Sequence, residues 1–143
     1  MNKKNKASTS KIPKILKEDK FSPFAIEIVK KLKQSGFQGY LVGGCVRDSL
    51  VGIKAKDFDV STNATPEEVK KIFRSSRIIG KRFRLVHVFN RNELIEVSTF
   101  RAHASKEDNS SGVVKDSEGK ILRDNVWGTL EEDCIRRDFS INA

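Results

Sequence analysis

Lys56-Asp57-Phe58-Asp59-Val60 is the stretch whose reading decides the fold, because it places two carboxylates one residue apart, alternating with the apolar Phe58 and Val60. In an extended strand successive side chains alternate faces, so Asp57 and Asp59 point one way while Phe58 and Val60 point the other. Two carboxylates sharing a small volume repel each other. A hard cation such as Mg²⁺, which takes oxygen ligands and keeps several waters, relieves that repulsion while bridging phosphates. The pair therefore reads as a two-metal phosphoryl-transfer site with Asp57 and Asp59 as metal ligands.

Upstream, Tyr40-Leu41-Val42 is a short apolar strand, Gly43-Gly44 breaks it, and Val46 to Leu50 form a helical turn ending at Gly52. Strand, glycine turn and helix start can cradle phosphate: glycine lets the backbone approach the ligand, the first helical N–H groups point at it, and Arg47 adds a charged fork. The glycines alone read equally as a tight turn needing positive φ; the carboxylate pair that follows favours the phosphate reading.

Three segments, Leu41-Val42-Gly43-Gly44-Cys45-Val46-Arg47-Asp48, Asp57-Phe58-Asp59-Val60-Ser61-Thr62-Asn63-Ala64-Thr65-Pro66 and Arg136-Arg137-Asp138-Phe139-Ser140-Ile141-Asn142-Ala143, occur in that order. Together they resemble the head domain of class II template-independent nucleotidyltransferases, which include bacterial poly(A) polymerases and CCA-adding tRNA nucleotidyltransferases. The resemblance runs from about Tyr40 to the last residue. It implies an α+β fold, a polymerase-beta-like nucleotidyltransferase head with a small mixed sheet flanked by helices. Ile78-Ile79-Gly80-Lys81-Arg82-Phe83-Arg84-Leu85-Val86-His87-Val88 and Arg123 to Asp133 resemble the poly(A) polymerase form more than the CCA-adding one. The implied activity is addition of AMP from ATP to an RNA 3′ end, with Mg²⁺ as cofactor. By the same resemblance Gly43, Gly44, Arg47, Arg136 and Arg137 hold the nucleotide and Asp138 supports the catalytic site. Read from the residues alone, Arg136-Arg137-Asp138 is equally a structural ion pair. In the family the head is followed by helical neck and body domains, and the present chain corresponds to the head.

The composition is compatible with this. Lysine and arginine outnumber aspartate and glutamate 28 to 19, a net charge of +9 that suits a polyanionic partner such as RNA. With 37% hydrophobic residues the chain can form one modest domain, and no run reaches the roughly 18 apolar residues a membrane span requires, so no membrane partner is expected. Cys45 and Cys134 give no disulfide framework, and with His87 and His103 they make an unpromising zinc set; Cys45 reads as a structural residue behind the glycine turn. A cytoplasmic setting is the expectation.

Residues 1–20 carry seven lysines with little apolar pattern and read as a flexible basic arm; the head is expected over 21–143. Ser22 caps a helix with Pro23 at its first position and Phe24, Ile28 and Leu32 inward. Thr65-Pro66-Glu67-Glu68 is a capping box opening a second helix, with Val69, Ile72 and Phe73 inward, and Thr129 with Glu132 opens another. Phe83 to Phe89 alternates as a strand and pairs as a hairpin with Leu94 to Phe100. On that second strand Glu96 reads either as a third carboxylate facing the aspartates or as a solvent-facing edge residue, and His87 reads as a satisfied core histidine. Ala102 to Asn125 is polar and reads as a flexible loop. Two other functions fit the same residues: CCA addition to tRNA, and an inactive, truncated head that serves as a basic RNA-binding module.

Overall fold

The computed structural model describes residues 18–102, 113–115, 121–124, 127–137 and 140–142 of the chain. A 3-10 turn at Glu18–Lys20 stands just ahead of the expected start at Phe21, and helix α1 follows at Pro23–Gln34. Its start is set by Ser22, whose hydroxyl accepts from the Ala25 backbone N–H at 3.2 Å, and by Pro23, which lacks a donor where the helix has no acceptor for one. Ala25, Ile28 and Leu32 recur at helical spacing and are fully buried, while Phe24 is only partly so.

Five strands form the central sheet: β1 at Gly39–Val42, β2 at Asp59–Thr62, β3 at Ser76–Ile79, β4 at Leu85–Phe89 and β5 at Leu94–Thr99. Their order across the sheet is β1-β2-β5-β4-β3. β2 and β5 run parallel and the other neighbours antiparallel, so the sheet is mixed, as expected. One face carries Val60, Val86, Val88, Ile95 and Val97, all buried with Ile28 and Leu32 of α1 and with Val69 of α3, which spans Pro66–Ile72. The other face carries Asp59, Ser61, Glu96 and Ser98. Strand alternation thus puts the apolar residues under the helices and leaves the polar ones together on the opposite side.

The capping box of α3 is complete: the Thr65 hydroxyl accepts from the Glu68 N–H at 3.4 Å and the Glu68 carboxylate accepts from the Thr65 N–H at 2.8 Å. Val69 and Phe73 are buried, and Ile72 packs partly against the core. The β4–β5 hairpin forms where the alternation predicts it.

Three elements depart from the sequence reading. Ser76–Ile79 is a strand at the sheet edge, which its short, half-polar pattern did not announce. Within the span expected as a flexible loop, strands β6 at Val113–Lys115 and β7 at Ile121–Asp124 pair antiparallel, because two short β-branched and apolar runs are enough to form a local ladder. His87 is not a core histidine. The buried members of β4 are Val86 and Val88, which sends His87 to the other face, opposite Glu96 and Arg77, where it is partly buried. Among the described residues no helix is long and apolar enough to cross a membrane.

Candidate active site

Helix α2 spans Gly44–Leu50 and starts two residues earlier than the sequence suggested. The turn before it depends on Gly43, whose φ of 82° is one that residues with a Cβ rarely adopt. A Cβ on Gly43 would also come within 3.0 Å of the Asp59 carboxylate. The chain therefore passes the acidic pair with only a hydrogen atom between. Gly43 donates its N–H to the carbonyl of Asn142 at 2.6 Å, so the first and last motifs of the chain meet at this turn. Behind it the Cys45 thiol is buried, donates to the Val42 carbonyl at 3.2 Å and is pushed up in pKa by burial, as a structural rather than a nucleophilic cysteine would be.

Asp59 opens β2, in register with Glu96 on the parallel strand β5 and with Val42 on β1. Burial, then the nearby Glu96 carboxylate, push the Asp59 pKa up; Arg137 opposes this and Asp57 adds to it. Asp57 and Asp59 line one groove of about 520 Å³ together with Arg47, Lys54 and Lys56. Between them Phe58 turns away, packing partly against the core and meeting the Phe21 ring edge-on at 6.4 Å between centroids. The structure brings Asp57, Asp59 and Glu96 into one electrostatic neighbourhood. Arg47 lies beside Gly44, with its guanidinium bonded to Asp48 at 3.1 Å.

A second groove, of about 250 Å³, adjoins the first through Asp59 and is lined by Glu96, Arg101, Arg136 and Arg137 among others. Arg136 and Arg137 are positioned by helix α4, Leu130–Ile135, which begins with the expected Thr129–Glu132 capping box. The helix is brought back to the sheet by an antiparallel bridge between Arg101 and Trp127 and by the Gly128 N–H donating to the Phe100 carbonyl at 2.9 Å. Asp133, only 1% exposed, is the hub. It accepts from the Arg101 backbone at 3.1 Å, from Arg136 Nε at 2.9 Å and from the Arg137 guanidinium at 3.0 Å. Burial alone would raise its pKa, but the Arg101 N–H and the two guanidiniums outweigh burial and hold it below the ordinary range. Arg137 also reaches the Ser61 hydroxyl at 3.2 Å, which places it along β2 beside Asp59.

Asp138 lies outside the described residues. The sequence reading missed Asp133, Lys54, Lys56 and Arg101. Asp133 was detectable, since an aspartate three and four residues ahead of two arginines on a helix faces both; the lysines carry no spacing signal.

Two carboxylates at the mouth of one strand, a glycine turn packed against them and an arginine-lined groove alongside define a nucleotidyltransferase head. The description Poly A polymerase head domain fits residues 39–143, and the chain belongs to that family. It is 52% identical over 124 residues to poly(A) polymerase I of Haemophilus influenzae, covering 86% of this chain and 27% of that protein. It is 43% identical over 119 residues to a CCA-adding enzyme of Listeria monocytogenes, 83% of this chain and 28% of the relative. The crystal structure of the Bacillus stearothermophilus CCA-adding enzyme in complex with CTP superposes with a TM-score of 0.61 at 34% identity, over 85% of this chain and 27% of the other. The chain thus spans about a quarter of the length of the relatives it matches.

Proposed function

We infer that the chain is the catalytic head of a poly(A) polymerase, transferring AMP from ATP to an RNA 3′ end in the cytoplasm, as part of RNA polyadenylation. The observation that carries this is the Asp57–Asp59 pair facing a groove with Arg47, Lys54 and Lys56, in a chain half identical to a poly(A) polymerase. The 3′-hydroxyl oxygen attacks the α-phosphorus. A new P–O bond forms, the α–β P–O bond breaks, pyrophosphate leaves, and the hydroxyl proton passes to solvent or to a carboxylate.

The donor set suits a hard divalent cation: it offers oxygen ligands only, and burial, then the nearby Glu96 carboxylate, raise the Asp59 pKa, which a bound cation would offset. Asp57 and Asp59 would hold Mg²⁺, whose chemistry there is to neutralise triphosphate charge and lower the pKa of the attacking hydroxyl. Glu96 reinforces the negative charge around Asp59. Arg47, Lys54 and Lys56 take the phosphates on one side, and Arg136 and Arg137, held by Asp133, take them on the other. Gly43 and Gly44 let the triphosphate approach the backbone. Asp138 is assigned to this machinery by its place in the motif.

The CCA-adding relatives favour a second reading, addition of CMP as well as AMP to tRNA. Incubating the chain with RNA, Mg²⁺ and each nucleoside triphosphate separately decides between them. Extension with ATP alone is expected; extension with CTP would move the assignment to tRNA. Asp57→Ala is expected to lower extension by about 100-fold or more without lowering the melting temperature, and normal extension by a folded Asp57→Ala chain would overturn the assignment.

A further inference from the structure

We propose that a basic groove on the helix side of the sheet holds single-stranded RNA upstream of the 3′ end, an assignment that rests on the chain being an RNA-extending head. The groove has a volume of about 730 Å³ and lies between α1, the segment after α3 and the β4–β5 turn. Lys31, Lys71, Arg74 and Arg91 line it, against the single carboxylate of Glu27. Among the described residues none of these four cations has a carboxylate within ion-pair distance. Four cations without carboxylate partners facing one anion leave a net positive channel that a phosphodiester backbone would neutralise with release of counterions.

The walls are held in place. The Asn90 side-chain carbonyl accepts from the N–H groups of Asn92 and Glu93 at 2.9 and 2.8 Å, which shapes the turn carrying Arg91. Ser22 donates to the Glu93 carboxylate at 2.7 Å, tying that turn to the start of α1, and the Phe89 N–H donates to the Ser75 carbonyl at 3.0 Å. Lys31 is held over the Phe73 ring, 5.2 Å from its centroid. Phe24 adds ring surface to the lining, and Phe89, 39% exposed at the end of β4, borders it. Aromatic faces interleaved with cations suit unpaired bases, which stack whatever their identity; an acidic peptide would use the charges and leave the rings idle.

The position fits a continuous track. Phe89 pairs with Leu94, and Leu94 precedes by two residues the Glu96 that pairs with Asp59. The groove rim and the acidic pair therefore lie at the same end of the sheet, two strands and two residues apart, or about 12 Å measured in the sheet. RNA leaving the acidic pair would round this end and enter the groove.

The test uses the double variant Arg74→Glu/Arg91→Glu, two exposed positions without ion pairs. Anisotropy of fluorescent oligoadenylates of about 20 and about 4 nucleotides is read without nucleotide, over a salt series. Binding of the longer RNA is expected to weaken about 20-fold near 0.1 M salt, with the logarithmic salt slope reduced by about 1.4, two contacts at 0.7 each. The shorter RNA should be extended at the wild-type rate. Wild-type affinity and slope for the longer RNA would overturn the proposal, as would loss of polyglutamate binding with RNA binding intact. Arg74→Gln/Arg91→Gln should show the same loss in smaller measure. Because binding is measured without turnover, a chain that extends nothing defeats the catalytic reading while still testing the groove.

Discussion

Asp133 shows how much one buried side chain can organise. It is the shared partner of two guanidiniums and a backbone N–H, so its removal leaves two cations facing each other beside Asp59. Arg136 and Arg137 keep 29% and 18% side-chain exposure, which softens the penalty, and Asp133→Asn is expected to destabilise by about 2–3 kcal/mol at pH 7. The sign follows from its depressed pKa: the stabilisation is present above the ordinary carboxylate value of about 3.9 and lost as pH falls through the lower folded value. Urea unfolding of wild type and variant should therefore differ fully at neutral pH and converge as the pH drops well below about 4. Gly43 makes the complementary point for backbone. Gly43→Ala meets both a positive φ and the Asp59 carboxylate, whereas a Cβ on Gly44 would meet only the mobile end of Arg47. Gly43→Ala should cost about 1–2 kcal/mol and most of the extension activity, and Gly44→Ala distinctly less of each in paired melting and extension assays. The glycines, the aspartates and Arg47 were all legible as residues, and so was the helical spacing of Asp133 to Arg136 and Arg137; its third partner, the Arg101 N–H, was not, because that contact depends on where the helix lands.

Among the elements, the two capping boxes are chemically alike and serve different ends. α3 packs in the core beside α1, while α4 has only six residues and carries the arginine platform. A helix so short draws much of its stability from its cap. Thr65→Ala and Thr129→Ala should each cost about 1 kcal/mol in urea unfolding, but only Thr129→Ala should also raise the KM for ATP. Equal KM values in the two variants would show that α4 does not position the nucleotide. Both boxes were readable from four-residue signatures, since capping is local chemistry. The edge strand Ser76–Ile79 was not, because it gains its ladder from β4 rather than from its own pattern. His87 was misplaced for a related reason: alternation groups the residues of a strand into two faces, and only packing against α1 and α3 says which face is inside.

For the whole molecule, one apolar layer between sheet and helices supports a polar face that carries the acidic pair. Ile28 is fully buried on the helix side, across the sheet from the carboxylates. Ile28→Ala is expected to cost about 3 kcal/mol, or about 10 °C in melting temperature, while the folded variant extends an RNA of about 4 nucleotides, too short to need the groove that Ile28 borders, at the wild-type rate in assays well below its melting point. A loss of rate without a loss of stability would mean that the two faces are coupled.

The sequence by itself determined the acidic pair, the glycine turn, the capped helices, the hairpin and the family, because each rests on local spacing or on a motif of adjacent residues. The tertiary structure decided which groups act together. Parallel pairing of β2 with β5 set Glu96 beside Asp59, the Arg101–Trp127 bridge returned α4 to the sheet, and Asn142 closed onto Gly43. These contacts join residues far apart along the chain, and their register follows from how the whole sheet buries its apolar face.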